Sequence, residues 1–427
     1  MLRNTGDAIE VTFPTSGTCE AVNGPYGRWW SPNATFADDP DRTRYSYLPL
    51  SGMKVHDDAS HVVLVGCRAA GGARQTHIAG KGVFVVDYAS RRGRSLKYGQ
   101  VNGMRTTSSA YRNWVGRSSI EIFCESDSSG RLQSATLSLK QTDSIKISDR
   151  LNMFACHDWR AAPVLDGYDV RESLSFQTLV KEPRKRRDHL EAHVGALDLV
   201  SIAAWKNFTF QEVHANRKEN KINTPEGEQW TEVFSHLLPR DDLSNCRRRF
   251  LFSCNDMTPG GIDEWFRLRQ EYGRALGHLF RALRSERTRP PQSAIMSSTP
   301  LEQVGYLIED NDNGGSHLND RGQLKFNDAL GVILDNMEAL PFSLDEVEDW
   351  KERCRNAYMG AKHAGSYLSH GCRHCDSLAG AYFLNETITE AFTANLINSL
   401  PVIIELVRPS IEYVLLNAER DNLHWHD

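Results

Sequence analysis

The stretch IDEWFRLRQEYGRALGHLFRALRSER, residues 262–287, decides how the second half of this chain folds. Its apolar side chains recur every three or four positions, the spacing that places residues on one side of an α-helix. This apolar stripe consists of Ile262, Trp265, Phe266, Leu276, Leu279, Phe280 and Leu283. The spacing predicts an amphipathic helix, and Thr258 followed by Pro259 is typical of a helix start.

Helical spacing continues downstream of this stretch. After a Ser-, Thr- and Pro-rich break at 288–300, it resumes in 301–309, 324–340, 344–359, 377–400 and 402–420. Pro409 is expected to kink or divide the last of these helices. The pattern predicts an all-α bundle of five or six helices over residues 259–427.

Upstream, residues 1–180 have the composition of a β-rich domain. Short runs of β-branched and aromatic residues, separated by Gly, Asp, Asn and Ser clusters, lie at 61–67, 82–88, 118–126, 134–141 and 173–180. A charged run, Lys181–Arg187, marks the predicted boundary, and helical spacing follows at 189–205. The expected fold class is α+β multidomain: a β-rich sensing or regulatory domain (1–180), a helical connector (181–258) and the helical bundle (259–427).

Composition excludes several classes of protein. The chain has 427 residues and a formal net charge of -5, so a nucleic acid would have to bind a local basic patch. No apolar run reaches the ~18 residues of a membrane span, and residues 1–13 lack the apolar core of a signal peptide. The 9 Cys, an odd number, indicate reduced thiols in a cytoplasmic protein.

The segment CRNAYMGAKHAG, residues 354–365, combines a permanent cation, an amide and an imidazole. Such groups suffice to cleave RNA through its own 2′-hydroxyl: His363 can transfer a proton near neutral pH, and Arg355 can stabilise charge on the phosphate. Asn356 can donate to a phosphoryl oxygen or orient the imidazole, and Lys362 can bind a phosphate. The alternative is a surface His and an Arg that complements the helix dipole.

Helix geometry limits how this pair can act. On one continuous helix, Arg355 and His363 are separated by about 80° around the axis and about 12 Å along it. One helix therefore does not bring both groups to one phosphate. Either Gly360 interrupts the helix, or two chains form a composite site across a two-fold axis.

Two other clusters are candidate binding sites. Arg184, Lys185, Arg186 and Arg187 form a basic run that can contact an RNA backbone or can be a solvated linker. Cys372 and Cys375 have the spacing of half a tetrahedral zinc site, for which Cys246 and Cys254 are the best remaining ligands. The alternative is that these four residues are reduced thiols.

The region 260–427 resembles a HEPN domain, a helical bundle whose motif is an Arg, often followed by Asn, and a His separated from the Arg by four to six residues. Arg355, Asn356 and His363 match in residue type, although seven residues separate the Arg from the His. More loosely, the whole chain resembles ApeA-type anti-phage proteins. GRWWSP (27–32), HVGALDLVSIAAW (193–205) and IDEWFRLRQEYGRALGHLF (262–280) lie where that family has similar patterns.

This resemblance implies a metal-independent endoribonuclease that acts in abortive infection. Arg355 and His363 would be the catalytic pair, assisted by Asn356, and the products would carry a 2′,3′-cyclic phosphate. The implied partners are RNA, with transfer RNA as one instance, a second copy of the chain in a homodimer or higher even oligomer, and a phage-encoded trigger protein. No cofactor is required for catalysis, and no membrane is involved. The alternative is a catalytically inactive HEPN dimer that binds a phage protein or RNA.

Overall fold

A computed structural model describes most of the chain up to residue 359. The described residues are 1–5, 8–16, 29, 38–44, 50–56, 61–74, 79–91, 99–140, 142–204, 206–220, 230–234, 250, 252–257, 260–284, 290–311, 313–336, 347–348, 351–352, 354–356 and 358–359. The sheets, helices and contacts of the structure lie within these residues.

An antiparallel nine-stranded sheet dominates the structure, in the order β11-β12-β13-β8-β14-β15-β7-β4-β3. In chain order its strands are β3 (Gly52–His56), β4 (His61–Val65), β7 (Tyr88–Arg91), β8 (Gln100–Thr107), β11 (Ile145–Ser148), β12 (Met153–Val164), β13 (Gly167–Lys185), β14 (Glu212–Asn216) and β15 (Trp230–Phe234). This sheet confirms that the N-terminal half of the protein is β-rich.

Two smaller antiparallel sheets complete the β structure. One has the order β1-β2-β6-β5 and consists of β1 (Leu2–Asn4), β2 (Ile9–Ser16), β5 (Arg68–Arg74) and β6 (Ala79–Val86). The other is a two-stranded ribbon of β9 (Ile120–Ser126) and β10 (Leu132–Leu139).

Two helices cover one face of the large sheet. Helix α1 (Tyr111–Val115) buries Tyr111 and Trp114, and the Tyr111 ring stacks on Phe176 of β13 with ring centroids 3.9 Å apart. Helix α2 (Arg186–Ala203) packs on β8 and β13. These apolar contacts form the centre of the core. They also press α2 against the sheet, so the buried polar side chains of α2 must form hydrogen bonds with residues of the sheet.

The large sheet extends beyond the predicted boundary at residue 180. Strand β13 continues to Lys185, which pairs with Gln100 of β8, and α2 begins at the next residue. Strands β14 and β15 lie within the region predicted to be a helical connector, and β14 pairs directly with β8. The charged run at 181–187 therefore does not mark a linker. A strand with one solvent-exposed side can carry charged residues and remain part of the sheet.

The second half is helical in its described part, with α3 (Gly261–Glu271), α4 (Gly273–Arg284), α5 (Pro290–Asn311) and α6 (Phe326–Asp335). The helix predicted from residue 262 is divided between α3 and α4 at Tyr272. The break predicted at 288–300 is wrong for residues 290–300, because α5 begins at Pro290 and continues through them. Pro290 and Pro291 occupy the first turn of α5, where proline is tolerated.

Helix α3 is fastened to α2 and to the large sheet. The indole Nε1 of Trp265 donates to the carbonyl oxygen of Gly195, 2.8 Å away, and Arg269 pairs with buried Asp198 at 2.9 Å. A Cβ atom at Gly195 would lie 2.3 Å from Phe266, so glycine permits this close approach of the two helices. Among the described helices, none is both long enough and apolar enough to cross a membrane.

Candidate functional site

The segment that contains Arg355 and Asn356 is helical and anchored in the core. Val347, Cys354 and Tyr358 are buried, and they recur at spacings that place them on one side of a helix. The Tyr358 ring lies 4.9 Å from that of Phe326 in α6, and its hydroxyl donates to Glu302 of α5 over 2.7 Å. The segment is therefore held against both α5 and α6.

Arg355 and Asn356 lie on the exposed side of this segment. Because Cys354 and Tyr358 hold the backbone on either side, the guanidinium and the amide are presented to solvent from a fixed support. Such an arrangement can bind a phosphate without any change in the core. His363 and Lys362, the other predicted members of the site, lie outside the described residues.

Helix α5 carries a second polar feature that the sequence did not predict. Buried Glu309 accepts hydrogen bonds from Asn313, Ser316 and His317, which fold the following loop back onto the helix. The backbone amide of His317, assisted by the side chains of this loop, lowers the pKa of Glu309 to about 2. In turn, the carboxylate raises the pKa of His317, whose ring is largely exposed.

The four residues of the predicted basic patch differ in exposure. Arg184 and Lys185 are exposed at the end of β13, and Arg187 is exposed but pairs with Glu191 at 2.8 Å. Arg186 is buried, so its assignment to an RNA surface needs correction. Its guanidinium lies 3.7 Å from the centroid of the Tyr88 ring and donates to the carbonyl oxygen of Asp87. Burial lowers the pKa of Arg186 to about 10, which still leaves it charged at neutral pH.

Of the four predicted zinc ligands, only Cys254 is described. It is half-buried at the start of a short 3₁₀ turn, and burial raises the pKa of its thiol to about 11. Cys246, Cys372 and Cys375 lie outside the described residues. Within the described part of the chain, no group of three His, Cys, Asp or Glu side chains has the arrangement of a metal site.

Two buried histidines of α2, His189 and His193, contact the large sheet. They are four residues apart, a spacing that places both side chains on the same side of a helix, and this spacing is visible in the sequence. The Thr178 hydroxyl lies 2.8 Å from Nδ1 of His189 and 3.1 Å from Nε2 of His193, whose Nδ1 is 2.8 Å from the Thr106 hydroxyl. Burial lowers the pKa of His193 to about 3 and also lowers that of His189. Both rings are therefore neutral at pH 7, and their role is to satisfy buried polar groups rather than to transfer protons.

A buried carboxylate fastens the two long β hairpins together at their bases. Glu172 of β13 accepts hydrogen bonds from the backbone amide and hydroxyl of Ser119 and from the hydroxyl of Ser118, just before β9, and it pairs with Arg112. Burial alone would raise the pKa of Glu172. The hydrogen bonds from Ser119 and Ser118 and the charge of Arg112 have a larger combined effect, so the pKa is lowered. The carboxylate is thus charged, and it fixes where the β9–β10 ribbon leaves the protein.

Comparison with known proteins identifies the class of the chain. Residues 49–266, just over half of the sequence, match the family model described as ApeA N-terminal domain 1. This match covers all nine strands of the large sheet, α2 and the start of α3. The chain belongs to the ApeA family of anti-phage defence proteins. No curated protein and no solved structure matches it significantly.

Proposed function

We propose that this protein is a cytoplasmic, metal-independent HEPN endoribonuclease that defends its host by abortive infection. The observation that carries the proposal is the position of Arg355 and Asn356. Both are exposed on a helical segment whose neighbouring residues, Cys354 and Tyr358, are anchored in the core. Membership of the ApeA family supports the defensive role.

The three residues of the proposed site would contribute to the reaction in different ways. His363 takes the proton from the 2′-hydroxyl of RNA or donates one to the leaving 5′-oxygen. Arg355 stabilises the charge that builds on the phosphate, and Asn356 donates to a phosphoryl oxygen or orients the imidazole. The products are a 2′,3′-cyclic phosphate and a 5′-hydroxyl, and no cofactor takes part.

The proposed substrate is RNA, with transfer RNA as one instance, and a second copy of the chain contributes to the site. A single helix does not place Arg355 and His363 at one phosphate, so a homodimer or a higher even oligomer is expected to assemble it. Lys362 and the exposed cations Arg184, Lys185 and Arg187 are the proposed contacts to the RNA backbone. A phage-encoded protein is the proposed trigger, acting through the β-rich half.

The second candidate function is that of an inactive HEPN dimer that binds a phage protein or RNA. The specific observation that favours it is the separation of seven residues between Arg355 and His363, one more than the longest usual spacing. Structural zinc at Cys372, Cys375, Cys246 and Cys254 is a further proposal, which metal analysis of protein purified without added zinc would test.

The test is cleavage of total RNA by the purified full chain in the presence of EDTA. Wild-type protein is expected to cleave, and His363→Ala is expected to be inactive while its unfolding temperature is unchanged. His56→Ala is the control, because His56 is an exposed histidine of strand β3, and it should retain activity. Undiminished cleavage by His363→Ala would contradict the proposed site. Wild-type protein that binds RNA without cutting it would favour the second candidate.

A further inference from the structure

A cavity of about 430 Å³ lies in the β-rich half of the protein, between strands that are not neighbours in the large sheet. Gly99 and Gln100 line it at the start of β8, whereas Gly52 and Gly66 line it at the start of β3 and just after β4. Three strands separate β8 from β4 in the sheet order, so the sheet curls to bring these residues together. The volume is within the range of small-molecule binding sites.

A buried arginine supplies a positive charge at this cavity. Arg217 lines the cavity just after β14 and is only 6% exposed. Its Nη1 donates to the carbonyl oxygen of Gln100 over 2.8 Å, which places the guanidinium next to another residue of the cavity wall. A buried charge is costly unless an opposite charge neutralises it. The site therefore requires an anionic partner for Arg217.

The anion that the chain itself provides is held through a single oxygen. Nε and Nη2 of Arg217 both donate to Oε2 of Glu219, at 3.2 Å and 3.0 Å. The side chain of Glu219 is 60% exposed, and it belongs to a 3₁₀ turn, Lys218–Asn220. The parallel donors of a guanidinium match two oxygens of one carboxylate or phosphate, and such paired bonds are the stronger ones. An external anion that offers two oxygens can therefore replace Glu219.

Further cations adjoin the residues that line the cavity. The backbone amide of Arg186 donates to the carbonyl oxygen of Gly99 over 3.0 Å, and Lys185 is the cross-strand partner of Gln100. Lys218 follows Arg217 directly in the chain. These charges create a positive potential around the cavity, which favours an anion over a neutral or cationic ligand.

The wall of the cavity is built largely from glycine. A Cβ atom at Gly99 would meet Val65 at 3.9 Å and would otherwise have open space around it. Asp87 lies against Gly66, but this carboxylate is already paired with Arg68 at 2.9 Å. Among the described residues, no aromatic side chain lines the cavity, so a nucleobase would have no ring to stack on. The lining thus suits a compact polar anion, and a phosphomonoester carries nearly two negative charges at neutral pH.

We propose that this cavity binds the phosphate group of a small phosphorylated molecule, such as a sugar phosphate, and that the phosphate replaces Glu219 on Arg217. The exchange keeps the buried guanidinium neutralised, so it removes no charge partner from the protein interior. The site consists of residues of the β-rich half and includes neither Arg355 nor Asn356. Its occupancy is therefore independent of the proposed RNA cleavage.

Isothermal titration calorimetry of the full chain tests whether the phosphate group is recognised. Inorganic phosphate and ribose 5-phosphate should both bind and should compete with each other, whereas ribose should not bind. A short RNA with a 5′-phosphate should bind no more tightly than ribose 5-phosphate, because the proposed ligand is a small molecule. Equal binding of ribose and ribose 5-phosphate, no binding of either phosphate compound, or tighter binding of the RNA would overturn the proposal.

Two substitutions that leave Arg217 in place locate the site. Gly99→Leu should abolish binding of ribose 5-phosphate, because the new side chain fills the cavity, and its unfolding temperature without ligand should match wild type. Glu219→Gln should tighten binding about tenfold, because a neutral amide competes less strongly for the guanidinium. A purely structural role of Glu219 would not produce tighter binding.

Glu212→Gln is the matched control for Glu219→Gln. Glu212 is an exposed glutamate of β14, so this change removes the same charge without altering the cavity lining, and the affinity should equal that of wild type. Wild-type affinity in Glu219→Gln, wild-type affinity in Gly99→Leu, or equally tight binding in Glu212→Gln would contradict the assigned site. None of these variants changes Arg355, Asn356 or His363, so failure of the RNA cleavage assay leaves the binding result intact.

Discussion

Tyr358 donates a hydrogen bond to Glu302 over 2.7 Å, and this contact links the segment of Arg355 to helix α5. The phenol ring also packs against Phe326, so one side chain fastens the segment to two helices. The position of the proposed catalytic arginine therefore depends on a residue three positions away.

Removing only the hydroxyl group tests this dependence. Tyr358→Phe should lower the free energy of unfolding by about 1 kcal/mol, because the ring is kept and one hydrogen bond is lost. RNA cleavage should fall at the same time, since the segment is held less firmly. Met359→Ala, a change at the exposed neighbour, should alter neither quantity. Denaturant unfolding and cleavage rates measure both, and full activity in Tyr358→Phe would show that the hydrogen bond does not position the site.

Adjacent arginines at the start of α2 should behave in opposite ways. Arg186→Ala should destabilise the protein by about 2 kcal/mol or more, because a buried cation loses its contact with Tyr88 and its packing. Arg187→Ala should leave stability nearly unchanged but weaken RNA binding, since Arg187 is exposed. Thermal unfolding and RNA binding at fixed salt distinguish the two. Equal stability of the two variants would contradict the buried position of Arg186.

The buried histidines predict how stability depends on pH. Burial lowers the pKa of His193 from 6.5 to about 3, so the unfolded chain binds a proton at this position at a pH where the folded protein does not. Stability is therefore complete above pH 6.5 and is lost as the pH falls below it. For His193 alone the loss between pH 7 and pH 5 is about 2 kcal/mol.

Replacing the histidine isolates this contribution. His193→Gln should be less stable than wild type at pH 7, but its stability should fall less steeply between pH 7 and pH 5. His56→Gln changes an exposed histidine and should keep the wild-type pH dependence. Urea unfolding at several pH values gives the slopes, and identical slopes for wild type and His193→Gln would refute a neutral, buried His193.

The sequence predicted the β-rich half well where a run was both apolar and short. The predicted strands at 61–67 and 118–126 correspond to β4 and β9, because runs of β-branched and aromatic residues between turn-forming clusters favour strands. Strands β14 and β15 were missed, since besides each other they pair with β8 and β7, which lie far upstream, and local composition does not report such pairing. The break at 288–300 was predicted from its Ser, Thr and Pro residues, but α5 has Pro290 and Pro291 in its first turn and also contains Pro300.

The candidate site could also be predicted only in part, because burial and tertiary contacts are not visible in local sequence. Residue type singled out Arg355 and Asn356 as candidate catalytic residues, and both side chains lie exposed on the described helical segment. The same reasoning treated Arg184, Lys185, Arg186 and Arg187 as one patch, although strand and helix geometry turns Arg186 into the core. The Glu172 and Glu309 hydrogen-bond clusters depend on tertiary contacts, which spacing along the chain does not encode.

The measurement that tests the central claim most directly is end-group analysis of RNA cut by wild-type protein and by Arg355→Ala in EDTA. The account predicts wild-type fragments that end in a 2′,3′-cyclic phosphate, and a loss of at least ~100-fold in rate for Arg355→Ala. Its unfolding temperature should stay unchanged, because Arg355 is exposed. Fragments with other ends, or an Arg355→Ala variant as active as wild type, would contradict the account.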